Sequence, residues 1–171
     1  MAARTDLFEL GRLSLHPGEG RRLDLEVRLD PLEFGAQRYE PRPASVPVTL
    51  DVARTMAGFS LRLRFEGGLA GPCARCLEEA GQGVRVDARE VDQPAGGEEL
   101  RSPYVDDDAL DLRTWARDAL ALALPDQILC TEECRGLCAI CGENLNGADA
   151  THEHERPPDP RFAKLSELKL Q

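Results

Sequence analysis

Six cysteines and two closely spaced histidines constrain this chain more than any other feature of its sequence. The cysteines fall into two groups, and the histidine pair follows the second group. These side chains are Cys73, Cys76, Cys130, Cys134, Cys138, Cys141, His152 and His154. Thiolates and imidazoles are the usual ligands of structural zinc, and a closed zinc site takes four of them. Eight candidate ligands therefore predict two structural zinc ions.

The spacing of these ligands favours one division between two sites. Cys138 and Cys141 form a C-x-x-C pair, and Gly142 directly after it suits the tight turn of a zinc knuckle. His152 and His154 lie two residues apart, so in an extended segment both rings point the same way. We expect these four ligands to share one site. The other site would be formed by Cys73, Cys76, Cys130 and Cys134.

Other arrangements of the cysteines remain open on the sequence. Cys130, Cys134, Cys138 and Cys141 could share one ion, which would leave Cys73 and Cys76 with the histidines. Three disulfides are a further alternative. The first ten residues lack the hydrophobic core of a secretion signal, and no apolar run is long enough to span a bilayer. We therefore expect a cytoplasmic protein without a membrane partner, where paired cysteines hold metal more often than they form disulfides.

The net charge of −10 is distributed unevenly, because residues 91–171 alone carry a net charge of −9. Such an acidic half repels phosphate and argues against broad, non-specific binding of nucleic acid. It is compatible with a basic protein partner. On one predicted strand Ser60, Arg62 and Arg64 share an outer face that could contact RNA. We favour the simpler interpretation, in which this face is solvated and pairs with Asp51 on the neighbouring strand.

Alternating apolar residues predict an antiparallel sheet in the first ninety residues. Two short strands are expected within residues 7–29, a hairpin within residues 48–65 and another strand within residues 81–91. A helix is expected from Leu112 to Leu124, ending at Pro125, with Asp111 or Asp108 as its N-cap. Its apolar face would consist of Leu112, Trp115, Ala119 and Leu122. The predicted fold class is α+β, with a curled or barrel-like antiparallel sheet packed by one main helix.

The remaining segments are predicted from proline, glycine and polar residues. Residues 30–47 are expected to form a loop with one helical turn near Pro31–Phe34, and Glu66–Pro72 a turn that delivers Cys73. Three regions follow: the sheet and helix in residues 1–129, a small zinc-binding module in residues 130–155, and a linker with a short amphipathic helix in residues 156–171.

Several motifs together resemble one known family. They are the segment Cys73–Leu77 (CARCL), the Leu124–Pro125 pair at the helix end, the segment Cys130–Asn146, and the segment Asp159–Phe162 (DPRF). This combination, over most of the chain from about residue 45, is similar to the YceD family of large ribosomal RNA subunit accumulation proteins. In many relatives a C-x-C pair lies where His152 and His154 stand here. Some relatives lack the second cluster, and this favours the division of ligands given above.

The resemblance implies a role in ribosome biogenesis, with precursor large-subunit ribosomal RNA or its assembly and processing proteins as the partner. We expect a non-catalytic protein without a small-molecule substrate, because the sequence has no P-loop, nucleophile elbow, dinucleotide fingerprint or HExxH motif. An enzymatic zinc would need an open site with Glu153 or Glu143 as the base. A redox- or zinc-responsive regulatory protein is the alternative function, because oxidation of the thiolates would release metal.

Overall fold

The computed structural model of the protein describes residues 3–4, 6–149 and 152–154. It contains ten strands and one α-helix within these residues. The strands are β1 (Ala3–Arg4), β2 (Leu7–Glu9), β3 (Gly20–Arg28), β4 (Leu32–Phe34), β5 (Gln37–Pro41), β6 (Ser45–Arg54), β7 (Phe59–Pro72), β8 (Glu79–Asp92), β9 (Val105–Asp106) and β10 (Ala109–Asp111), and the helix is α1 (Leu112–Ala123). The α+β class expected from the sequence is confirmed.

The main sheet is built around the long antiparallel hairpin of β7 and β8. All fourteen residues of β7 pair with β8, from Phe59↔Asp92 to Pro72↔Glu79. On the other side of β7, β6 pairs with its first half and β5 with its second half. The sheet then continues from β6 to β3 and β1, and from β5 to β4. All pairings in this sheet are antiparallel except that of β1 with β3.

The prediction of a barrel-like sheet is wrong. Within the described residues, no strand pairing joins the β8 edge back to the β1 edge, so the sheet is open. Alternation of apolar and polar residues specifies a sheet with one buried face, but closure depends on which strands meet at the edges. A second, three-stranded sheet consists of β2, β10 and β9.

Helix α1 covers the apolar face of the main sheet. Its N-cap is Asp111, one of the two predicted candidates, and the Asp111 carboxylate accepts a hydrogen bond of 2.9 Å from the Thr114 amide. The predicted apolar face is correct except for Leu122, which is 87% exposed. The buried helix residues are Leu112, Trp115, Ala116, Ala119 and Leu120. Their i, i+3, i+4 spacing forms one stripe, and Leu122 lies outside that stripe.

Two predicted turns are strands in the structure. Residues 31–34 do not form a helical turn, because Leu32–Phe34 pairs with Gln37–Pro41 as a hairpin. The glycines of Glu66–Pro72 do not break β7 either. At Gly71 a Cβ atom would lie 2.4 Å from the Tyr39 ring, so glycine is required there by close packing within the sheet.

The N-terminal segment also differs from its prediction. In the first of the two predicted strands only Leu7–Glu9 is extended. Leu10–Leu13 forms a 3-10 turn with Leu10 and Leu13 buried. The short strand pairs with β10 and not with the following strand β3. Local alternation therefore identified both strands in residues 7–29, although the first is shorter than expected. It could not identify the partner of β2, which lies about a hundred residues away in sequence.

Contacts divide the chain into two compact units, Met1–Cys134 and Arg135–Gln171. Cys130 and Cys134, which the sequence analysis assigned to the start of the zinc-binding module, therefore group with the sheet and helix. The predicted linker and amphipathic helix of residues 156–171 lie outside the described residues.

Candidate metal centres

The first group of candidate ligands lies at the end of the β7–β8 hairpin and consists of Cys73, Cys76, Cys130 and Cys134; we call it the sheet-end cluster. Cys73 and Cys76 lie in the turn between the two strands. The Cys73 amide donates to the Glu78 carbonyl over 2.7 Å, and the Leu77 amide to the Cys73 carbonyl over 3.1 Å. The turn folds the chain back so that the two thiols face the same point, as a C-x-x-C metal knuckle requires.

The segment after helix α1 brings the other two thiols of the sheet-end cluster to this turn. The Ala74 amide donates to the Ile128 carbonyl over 2.9 Å, which fixes the segment beside the hairpin end. Arg75 lies between the two hairpin cysteines, and its guanidinium donates to the Cys134 carbonyl over 3.1 Å. This role of Arg75 was not predicted. Its position inside the C-A-R-C motif is the only signal that the sequence offers for it.

The separations of the four sulfurs fit a tetrahedral metal ion. The Sγ atoms of Cys73 and Cys134 are 3.7 Å apart, and those of Cys76 and Cys130 are 3.5 Å apart. Zinc–sulfur bonds of about 2.3 Å imply sulfur–sulfur separations of about 3.8 Å in a tetrahedral site. The sulfurs are thus spaced for one shared ion, and all four ligand atoms lie within 4.8 Å of one another.

The electrostatics of the sheet-end cluster also suit a cation. Burial raises the pKa of Cys73, but hydrogen bonds from the backbone of Cys76 and Arg75 outweigh burial and lower this pKa to about 6. At Cys76 a backbone hydrogen bond from Glu78 lowers the pKa, whereas burial and the neighbouring thiols raise it to about 12. One thiolate forms easily and disfavours the next. A bound cation would offset the repulsion between neighbouring thiolates, so that metal binding would release protons from the thiols.

The second group consists of Cys138, Cys141, His152 and His154; we call it the knuckle cluster. Its two cysteines lie in a tight turn, in which the Gly142 amide donates to the Cys138 carbonyl and the Cys138 amide to the Glu143 carbonyl, both over 2.8 Å. Gly142 has a φ of 76°, a left-handed conformation that glycine adopts without strain. Hydrogen bonds from the backbone of Cys141 and Ile140 lower the pKa of Cys138 to about 6.

The histidines complete the knuckle cluster. Nε2 of His152 lies 3.6 Å from the Cys141 sulfur and 3.1 Å from Nε2 of His154. A tetrahedral zinc site with two nitrogen and two sulfur ligands implies separations of about 3.5 Å and 3.3 Å for these two pairs. Nδ1 of His152 lies 3.2 Å from a carboxylate oxygen of Glu143. Such a carboxylate orients a metal-binding imidazole and increases its basicity.

Both clusters fit the chemistry of structural zinc by the number, type and spacing of their side chains. The structure brings the eight candidate ligands together in the two groups that the sequence analysis favoured. Ligation of a metal, and the choice of zinc, remain predictions. Each cluster offers four protein ligands, so a tetrahedral ion held by all four would keep no open position.

The clusters differ in exposure. Cys73, Cys76 and Cys134 are at most 3% exposed, and Cys130 is half-buried. In the knuckle cluster Cys141 and His154 are exposed, and the other two ligands are half-buried. Solvent and reagents therefore reach the knuckle cluster much more easily.

The arginines of the outer sheet face are engaged in ion pairs within the chain. Arg62 donates to Asp87 over 2.7 Å, and Arg64 donates to Asp51 over 2.7 Å. Arg22 also pairs with Asp51. This supports the interpretation of a solvated, cross-paired face over an arginine stripe reserved for RNA. The described part of the chain contains no helix long and apolar enough to cross a membrane.

The fold and the two clusters define a small α+β protein with two candidate structural metal centres. A family model described as large ribosomal RNA subunit accumulation protein YceD matches residues 61–169. The chain belongs to the YceD family, as its cysteine motifs indicated. Uncharacterized proteins of Mycobacterium bovis and Mycobacterium tuberculosis are each 36% identical over 169 residues, which cover 94% of this chain and 79% of theirs. An uncharacterized protein of Mycobacterium leprae is 30% identical over 151 residues, covering 77% of this chain and 69% of its own. No solved structure matches the chain.

Proposed function

We propose that this protein is a non-catalytic, zinc-stabilised factor that supports the accumulation or processing of large-subunit ribosomal RNA. Membership of the YceD family, whose description names large ribosomal RNA subunit accumulation, is the observation that carries this proposal. Precursor large-subunit RNA or its assembly and processing proteins are the proposed partners. The cytoplasm, where bacterial ribosomes are assembled, is the proposed location.

A structural role for zinc is supported by the way the sheet-end cluster joins distant segments. Cys73 and Cys134 are 61 positions apart, and Cys76 and Cys130 are 54 apart. A metal ion held by these four thiols fastens the segment after α1 to the hairpin end. Zinc that is bound only in the folded state contributes its binding free energy to folding. Four protein ligands at each ion support the non-catalytic assignment, because a catalytic zinc needs an exchangeable position.

Charge supports a protein partner within the assembling subunit. The chain is strongly acidic, and the arginines Arg62 and Arg64 are already neutralised by aspartates. An acidic surface attracts basic proteins and steers their association. Proteins that bind ribosomal RNA are themselves basic, so direct contact with such a protein is the favoured mode of action.

The proposal is tested by deleting the gene in its host and measuring the ratio of mature large-subunit to small-subunit ribosomal RNA. We expect this ratio to fall, and precursor large-subunit RNA to accumulate, because subunit maturation loses a factor. Wild-type protein should restore the ratio, whereas Cys76→Ser, which removes a sheet-end ligand, should not. An unchanged ratio in the deletion strain would contradict the proposed function.

Crosslinking in the same host identifies the partner. Both RNA and protein should be sequenced after crosslinking a folded, metal-loaded protein. Recovery of large-subunit assembly proteins or of precursor RNA supports the proposal. Recovery of neither would contradict the proposed function.

A redox- or zinc-responsive regulatory protein is the second candidate, and the exposure of the knuckle cluster favours it. Cys141 is open to solvent, so an oxidant reaches it without unfolding of the chain. Mild peroxide would then release one of the two metal ions and leave the other bound. Retention of both ions under this treatment would rule the candidate out.

A further inference from the structure

Strand β8 presents a long unpaired edge. It runs for fourteen residues, Glu79–Asp92, and pairs with β7 along its whole length on one side. No other strand in the described ranges pairs with its second side. The backbone N–H and C=O groups on such an edge form a ready template for a further strand.

A groove lies beside this edge. It has a volume of about 480 Å³ and is lined by residues 85–90 of β8, by Tyr104 and by helix residues that include Trp115 and Ala119. The groove therefore lies between β8 and the helix along this stretch. Leu122, which is also part of the groove lining, is 87% exposed. An added strand and the side chains above it would have room here, and they would cover this exposed apolar side chain.

The outward-facing side chains of β8 show which strand the edge fits. Arg85, Asp87 and Arg89 alternate in charge along the outer face. If a second β8 runs antiparallel with Val86 opposite Val86, Arg85 lies opposite Asp87 of the second copy. By symmetry Asp87 lies opposite the second Arg85, which gives two cross-strand ion pairs. On the inner face of the same arrangement Val84 lies opposite Ala88.

Neighbouring registers fit less well. Centring the pairing on Asp87 places Arg85 opposite Arg89, and centring it on Arg85 places that arginine opposite its own copy. Like charges directly opposite each other destabilise a strand pair. Centring on Ala88 also gives two ion pairs, because Asp87 lies opposite Arg89. It places Glu90 opposite Val86, however, which is a charged side chain against one that is buried in the sheet.

We propose that the β8 edge is an interface with a second copy of this chain, paired antiparallel about Val86 so that one sheet continues through both protomers. Residues 82–90 of each copy form the centre of the pairing. The exposed Leu122 side chain of each protomer then lies at the rim of the interface, on the helix face next to its partner. This one occupant covers the free edge and the groove, and it adds a cross-strand partner to Arg85 and Asp87 beside those they have within the chain.

The proposal is tested by reversing single charges on β8 in the full-length, metal-loaded protein. Sedimentation equilibrium measures the dissociation constant of the dimer. The wild type should be a dimer. Arg85→Asp places an aspartate opposite Asp87 of the other copy in both pairs. The dissociation constant of the dimer should therefore rise by about tenfold or more. Asp87→Arg should have the same effect from the other side of each pair. The double variant Arg85→Asp/Asp87→Arg restores opposite charges and should restore the dimer.

Arg89→Asp is the matched control, because it makes the same charge change on the same face but lies opposite Gly83 in this register. It should leave dissociation unchanged. Arg85 and Asp87 also pair within the chain, with Glu66 and Arg62, so the melting temperature of each variant is measured alongside. A monomeric wild type would overturn the proposal. The same holds if the monomer binds an extended peptide of another protein at this edge. Dissociation by Arg89→Asp and not by Arg85→Asp would overturn it as well.

Discussion

The sheet-end cluster and the knuckle cluster contain similar ligands but differ in what they hold together. The sheet-end cluster is buried and joins residues that are 54 and 61 positions apart. The knuckle cluster is largely exposed, and its Cys141–His152 contact spans 11 positions. Closing a long loop costs more chain entropy than closing a short one, and buried ligands are surrounded by more of the core. The comparison indicates that the first metal would stabilise the fold, and that the second would shape a local surface.

The largest effect is expected for Cys76→Ser, which removes one ligand of the sheet-end cluster. This variant should lose one zinc ion per chain, and its melting temperature should fall by roughly 10–20 °C, because metal affinity there contributes to folding of the sheet and helix. Metal analysis and thermal unfolding by circular dichroism measure both quantities.

Cys141→Ser is the matched control for that change, since it removes one sulfur ligand from the exposed cluster. It should also lose one zinc ion, while the main unfolding transition shifts by only about 2 °C. Equal losses of thermal stability in the two variants would mean that the clusters do not differ in their structural role.

A smaller effect is expected for Glu143→Gln, which changes the carboxylate that contacts His152 but replaces none of the proposed ligands. Loss of the charged partner should weaken metal affinity at the knuckle cluster by about 10-fold or more, as outer-shell substitutions at zinc sites do. Competition with a coloured chelator should then show one ion released more easily and the other unchanged. If release of both ions is unaltered, the contact between Glu143 and His152 does not support the metal.

The smallest effect is expected for Asp30→Asn, which weakens the sheet and helix unit without involving either cluster. The hydrogen bond from Arg113 lowers the pKa of Asp30, against the opposing effect of burial. A lowered carboxyl pKa contributes stability that is present above the unfolded value of about 3.9 and is lost as pH falls through the folded value. At neutral pH the variant should melt about 2–4 °C lower, with both zinc ions retained.

The pH dependence provides the internal check for Asp30→Asn. The melting temperatures of the variant and the wild type should converge as the pH falls below the unfolded value of about 3.9 and through the lowered folded-state pKa of Asp30, where the wild-type carboxyl also becomes neutral. A difference that persists in acid would show that the substitution acts through packing and not through the ion pair with Arg113.

The candidate site could be predicted from the sequence more completely than the fold could. The two ligand groups follow from thiol and imidazole spacing, because a metal ion imposes the same local requirement in any fold. The hairpin of residues 48–65 was also predicted, and the N-cap was narrowed to Asp111 or Asp108, since both features depend on neighbouring residues. Gly71 was misread, because the Tyr39 ring that excludes a side chain there comes from another strand.

Features that depend on distant contacts could not be read from the sequence. The pairing of β2 with β10 and the unpaired edge of β8 are set by the arrangement of whole strands. The exposure of Leu122 has the same origin, because α1 presents its stripe of buried residues to the sheet and leaves this leucine beside the groove. Local patterns specify a strand or a helix, but not its neighbours.

X-ray absorption spectroscopy at the zinc edge tests the central claim most directly, because it counts sulfur and nitrogen ligands per ion. The wild type should contain two zinc ions with an average of three sulfurs and one nitrogen each, since six cysteines and two histidines are shared between two sites. In Cys141→Ser the remaining ion should show four sulfurs and no nitrogen. Histidine nitrogen at the ion that remains in this variant would contradict the proposed division of ligands.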